Sequence, residues 1–116
     1  FTHMLPAGLD RYASEISRVL RPGGRLFTTA FLWTPDTAAR HDRGRLKVDF
    51  PLDFGSHRTA SDDLEAVVAY DEEYFLDRFE AFGLRLAGAV HTGSWTGRMI
   101  RCPTFQDVVV LTQPTP

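Results

Sequence analysis

Ser14-Glu-Ile-Ser-Arg-Val-Leu-Arg-Pro-Gly-Gly-Arg-Leu-Phe-Thr-Thr-Ala-Phe31 decides the fold, because it holds the end of an amphipathic helix, a tight turn and an apolar strand in succession. Upstream of it, Leu5, Leu9, Tyr12, Ile16 and Val19 recur at alternating steps of four and three, which predicts one buried helical face. Asp10, Arg11, Ser14, Ser17 and Arg18 fall on the other side. Pro6 suits the first turn, where its missing N–H would be unpaired anyway, and Arg18 and Arg21 suit the negative end of the helix dipole. Pro22-Gly23 supplies the fixed φ and then the positive φ that end the helix in a turn. From Arg25 to Trp33 the chain is apolar without strict alternation, the pattern of a strand covered on both faces. A helix feeding such a strand predicts a layered α/β sheet.

Working outward, the 30 or so residues from Thr34 to Asp63 carry isolated Leu46, Val48, Phe50, Leu52 and Phe54, alternating with Lys47, Asp49, Pro51 and Asp53. That period of two fits either a short edge strand or an extended strap, and a connection this long is either a lid or binding loop or a flexible surface insertion. Leu64 to Tyr70 reads as an extended entry into a helix over Asp71 to Phe82. Asp71 is its N-cap, Tyr70 and Phe75 form a hydrophobic staple, and Glu72 and Glu73 sit at the positive end of the dipole. Phe75, Phe79 and Phe82 form its inward stripe, and Gly83 ends it. Leu84 to Val90 and Phe105 to Thr112 read as strands, joined through a glycine-bearing turn at Thr92 to Arg98. The expected core is Leu9, Ile16, Val19, Leu26, Phe27, Phe31, Phe75, Phe79, Phe82, Val109 and Leu111.

Composition narrows the functional classes. A chain of 116 residues with 43% apolar and 24% charged residues builds one modest core. A formal charge of −2 supplies no broad cationic surface, so nucleic acid is not an expected partner. The single cysteine, Cys102, cannot form an internal disulfide, and no apolar run reaches the roughly 18 residues of a membrane helix. The expectation is a cytoplasmic protein that does not engage membranes. His3, His41, His57 and His91 show no metal-binding spacing, so no metal site is expected, and no serine sits in a G-x-S-x-G elbow. Gly93-Ser-Trp-Thr-Gly97 has no Walker lysine and reads as a turn.

Phe-Thr-His-Met4, the helix, Glu15-Ile-Ser-Arg-Val-Leu-Arg-Pro-Gly-Gly-Arg-Leu26 and the following strand together resemble the segment after the fourth strand of class I S-adenosylmethionine-dependent methyltransferases. Ala69-Tyr-Asp-Glu-Glu73, Gly93-Ser-Trp95 and Gln106-Asp-Val-Val-Val110 resemble the C-terminal part of the same family. The resemblance implies the C-terminal half of a doubly wound, Rossmann-like sheet, with the last strand inserted antiparallel in the order fifth, seventh, sixth. The family's glycine-rich turn and ribose-binding acid lie upstream of anything equivalent to Phe1, and the chain has no G-x-G-x-x-G. Residues 1–116 are therefore expected to form a single partial methyltransferase domain lacking the N-terminal cofactor-binding strands.

By the same resemblance, the complete protein transfers the methyl group of S-adenosylmethionine to a small-molecule acceptor, and the chain alone is inactive and binds no cofactor. His3 and Met4, at the carboxyl edge of the sheet, are candidate cofactor-binding residues, and Tyr70 and Trp95 are candidate substrate-binding residues. No catalytic residue is singled out. Two alternatives from other classes are a noncatalytic α/β binding or assembly module and a dinucleotide-dependent oxidoreductase. Without a fourth strand, Arg25 to Trp33 is expected to present an uncharged open edge, and hence a homo-oligomer, most simply a dimer.

Overall fold

The computed structural model of the chain describes residues 1–61, 67–97 and 104–114. The readings made above for Leu64 to Ala66, Arg98 and Cys102 lie outside those residues. In chain order the elements are helix α1 (Pro6–Val19), strand β1 (Arg25–Trp33), helix α2 (Pro35–Asp42), strands β2 (Leu52–Asp53), β3 (His57–Thr59) and β4 (Val68–Asp71), helix α3 (Glu72–Ala81), and strands β5 (Arg85–Leu86) and β6 (Asp107–Thr112). A 3-10 turn spans Ser94–Thr96. Among the described residues no helix is long and apolar enough to cross a membrane.

The strands form one mixed six-stranded sheet in the order β2-β3-β4-β1-β6-β5. β1 is parallel to β4 through Phe31–Ala69 and Trp33–Asp71, and antiparallel to β6 from Arg25–Thr112 to Ala30–Asp107. β5 is in turn antiparallel to β6, so β6 lies between two strands that run the same way. The turn into β1 is as read: Gly23 has φ of 79°, and its N–H donates to the Gln113 carbonyl at the far end of β6. β5 is shorter than Leu84 to Val90 because Gly88, with φ of 82°, breaks the extended geometry; pairing resumes only at the His91–Val108 bridge.

Each face of the sheet has its own cover. Ala30 and Leu32 of β1, Val68 and Tyr70 of β4, and Val109 and Leu111 of β6 meet Leu9 and Ala13 of α1 and Phe75 and Phe79 of α3. On the opposite face Phe31 and Ala69 pack with Phe50 and Trp95, and Leu46 and Val48 lie against them. The alternating stretch is thus a strap that becomes a strand only at Leu52. Inside the same connection lies α2, absent from the sequence reading, although Thr34 caps it through the Thr37 N–H and Pro35 opens it.

Of the expected core, Leu9, Phe31, Phe75, Phe79, Val109 and Leu111 are buried, and Ile16, Leu26 and Phe82 pack partly buried against them. Val19 and Phe27 are corrections, at 66% and 67% exposed. The inward stripe of α1 is Leu5, Leu9, Ala13, Ile16 and Leu20, which leaves Val19 outside and Tyr12 on the flank, half exposed. Phe27 points to the strap side of β1, where cover ends at Phe31, so β1 is not covered along its whole length on both faces. The open edge is also shorter than expected, because β4 occupies Phe31 to Trp33 and the terminal amine of Phe1 donates to the Thr29 carbonyl.

Candidate functional site

β1 and β4 run parallel side by side, and open α/β sheets place ligands beyond the carboxyl ends of such strands. Each strand here runs directly into a helix whose first turn it caps. Thr34, after Trp33, caps α2; Asp71, ending β4, accepts from the Tyr74 N–H at 3.1 Å and caps α3. The staple forms as read, with the Tyr70 and Phe75 rings 5.7 Å apart. The β2–β3 hairpin closes over these ends. Its tip is shaped by Asp53 Oδ1, which accepts from the Gly55 N–H at 2.9 Å, and it is tied to β4 by the Asp71 N–H donating to the Ser56 carbonyl at 3.0 Å.

Trp33, Asp53, Gly55, His57, Arg58 and Asp71 line a cleft of 180 Å³ at this junction. Arg58 is held on three sides: its guanidinium lies 4.3 Å over the Trp33 ring, Nη1 donates to the Phe50 carbonyl at 3.2 Å, and Nη2 donates to Asp53 Oδ2 at 3.2 Å. The His57 ring stacks on Phe54 at 5.1 Å, and its Nδ1 shares a hydrogen bond of 2.9 Å with Ser56 Oγ. Burial holds the His57 imidazole below its ordinary pKa, so it is uncharged at neutral pH. Beside the cleft, burial first, then the charges of Asp107, Asp71 and Glu73, push the Glu72 carboxyl above the usual range.

The four residues singled out by sequence are distributed unevenly. His3 is exposed, and Met4 is half-buried with its carbonyl accepting from the Tyr70 hydroxyl at 2.6 Å. The structure therefore brings Met4 and Tyr70 together, next to His57, whose ring lies 6.1 Å from that of Tyr70. Tyr70 itself is fully buried, and burial above all, then Tyr74 and Asp10, holds its phenol above the ordinary tyrosine range. Trp95 is also fully buried, one layer below Trp33 on the strap side, and donates through Nε1 to Asp107 Oδ2 at 3.0 Å. Both aromatic side chains thus support the walls and contribute no exposed surface. Among the described residues no group of three or more His, Cys, Asp or Glu side chains could hold a metal ion.

Sequence reasoning missed the residues that line the cleft. Asp53, His57 and Arg58 sit in the long connection after β1, but no motif marks them, because a hairpin brings them to Trp33 and Asp71 from 13 to 25 positions away. Asp107 was missed as well. Only 2% exposed, it accepts from the Leu32 N–H at 2.8 Å, the Gly93 N–H at 2.7 Å and the Trp95 indole, and so joins β1, β6 and the 3-10 turn. Glycine is required at 93, since a Cβ there would sit 2.2 Å from the Phe105 carbonyl oxygen. No protein-family model matches the chain, and no solved structure matches it.

Proposed function

We propose that this chain is the C-terminal half of a class I S-adenosylmethionine-dependent methyltransferase domain, and that the complete protein methylates a small-molecule acceptor. The observation that carries the reading is β6, which lies antiparallel between the co-directional β1 and β5, in a chain whose β1 is entered from a helix through Arg21-Pro-Gly-Gly24. That is the order fifth, seventh, sixth implied by the resemblance. The cleft at the carboxyl ends of β1 and β4 favours a ligand-binding role over a purely assembly role.

The residues present do not by themselves fit the cofactor. His3 is exposed, the Met4 carbonyl is already engaged by Tyr70, and the sequence contains no G-x-G-x-x-G turn of the kind that holds the cofactor in that family. One rim cannot supply the convergent contacts that binding a nucleoside sulfonium requires. Calorimetric titration of S-adenosylmethionine into the 116-residue chain is expected to give no saturable heat; tight, stoichiometric binding would show that the cofactor site lies in this chain and that the half-domain reading is wrong. The reading further requires a glycine-rich strand-turn-helix ahead of Phe1 in the complete gene product, and an unrelated domain there would refute it.

Association through the β1 edge belongs to the same proposal. Among the described residues no strand flanks Arg25 to Ala30 on the β4 side, the row carries no charge or proline after Arg25, and Phe27 stands exposed beside it. A second copy of the chain added at this edge makes a homodimer.

A further inference from the structure

We infer that the cleft between the β2–β3 hairpin and the ends of β1 and β4 binds a small primary amine as its ammonium, with Asp71 as the receiving carboxylate. The inference rests on the methyltransferase reading only in identifying this amine as the methyl acceptor; the binding itself is argued from the lining.

The two lining aspartates carry four carboxylate oxygens, and three are satisfied by the protein. Asp53 Oδ1 accepts from Gly55, Asp53 Oδ2 from Arg58, and Asp71 Oδ2 from the Tyr74 N–H. Asp71 Oδ1 has no protein donor among the described residues, and Asp71 lines the open space. An acceptor in a cleft selects a ligand that donates. Charge points the same way. Asp53 and Arg58 cancel, and His57 is neutral, so the lining carries the one net negative charge of Asp71, with Glu72 adjacent. An anion meets the Asp71 carboxylate, and the Arg58 guanidinium, although it keeps N–H groups beyond those given to Phe50 and Asp53, is already neutralised by Asp53 and stacked on Trp33. The ring nitrogen of His57 away from Ser56 and the half-buried edge of Trp33 complete a wall that suits a polar head on a short apolar stem. At 180 Å³ the space is below that of a drug-sized site, which limits the ligand to a small amine or the aminoalkyl end of a larger molecule.

The test is a titration of the 15N-labelled 116-residue chain with n-butylammonium chloride, with sodium butyrate and n-butanol as matched probes and no methyl donor present. Butylammonium is expected to move the Trp33 indole N–H resonance saturably, while the fully buried Trp95 indole stays in place as an internal reference. Asp71→Asn retains the helix cap, since asparagine caps as well as aspartate, and is expected to weaken binding roughly five- to tenfold with the remaining spectrum unchanged. A Trp33 resonance that ignores butylammonium, follows butyrate or butanol equally, or responds identically in Asp71→Asn overturns the inference. A chain that binds the amine in a protein that never methylates one refutes the methyltransferase reading alone. Methyl transfer by the complete protein with a silent Trp33 refutes the cleft alone.

Discussion

Replacing Asp107 by asparagine tests whether one buried carboxylate joins the two halves of the sheet to the Gly93–Gly97 turn. Its Oδ2 accepts from the Leu32 N–H and the Trp95 indole, and its Oδ1 from the Gly93 N–H at 2.7 Å. Asparagine reproduces only one of these oxygens. With its amide oxygen at the Oδ2 position, Leu32 and Trp95 keep acceptors, but the NH2 group is set against the Gly93 N–H, donor facing donor. The two retained bonds drop from charge-assisted to neutral strength, a loss of about 1 kcal/mol each, and the orphaned N–H costs about 1–3 kcal/mol more. Burying a neutral amide in place of a carboxylate returns part of this. The net expectation is a destabilisation of about 2–4 kcal/mol, against a total of about 5–15 kcal/mol for a domain of this kind. For a chain of 116 residues that lowers Tm by roughly 8–16 °C. Urea denaturation followed by tryptophan fluorescence is the assay, because Trp95 reports directly on the site and the slope shows whether the transition stays two-state. A midpoint shift equivalent to less than about 0.5 kcal/mol, at unchanged slope, would refute the reasoning, because that is the size expected of a surface substitution.

Two further outcomes follow from the same structure. Tyr70→Phe removes the hydrogen bond to the Met4 carbonyl and is expected to cost about 1 kcal/mol at neutral pH. Because burial raises the folded-state pKa of Tyr70, its contribution is complete below the ordinary tyrosine value of about 10 and is lost as pH rises beyond it; denaturation curves across that range should fall more steeply for the wild type than for the variant. Phe27→Lys places a charge beside the open stretch of β1 and is expected to abolish the proposed dimer in light scattering, with the far-ultraviolet spectrum unchanged. A wild-type chain that is monomeric at high concentration would exclude association at that edge.

Local physics determined much of this protein from the sequence. The proline and glycine pair at 22 and 23 ends α1 because one residue fixes φ and the other accepts a positive value, whatever the surroundings. Asp71 caps α3 and Tyr70 staples Phe75 because those partners are four residues or fewer beyond the cap. The uncharged run at β1 and the valines of β6 declared strands for the same reason. What tertiary structure alone decided is which apolar positions find a partner and which polar groups meet. Val19 and Phe27 carry the same apolar signal as their buried neighbours and stay exposed because no element covers them. Tyr70 and Trp95 carry the signal of candidate pocket residues, and whether an aromatic side chain lines a pocket or fills the layer beneath depends on the strap and turn folded over it. The cleft itself joins Trp33 to Asp53, His57, Arg58 and Asp71, and Asp107 reaches Leu32 from 75 residues away. Contacts at such separations leave no periodic trace in a sequence, because they are set by the order of strands in the sheet.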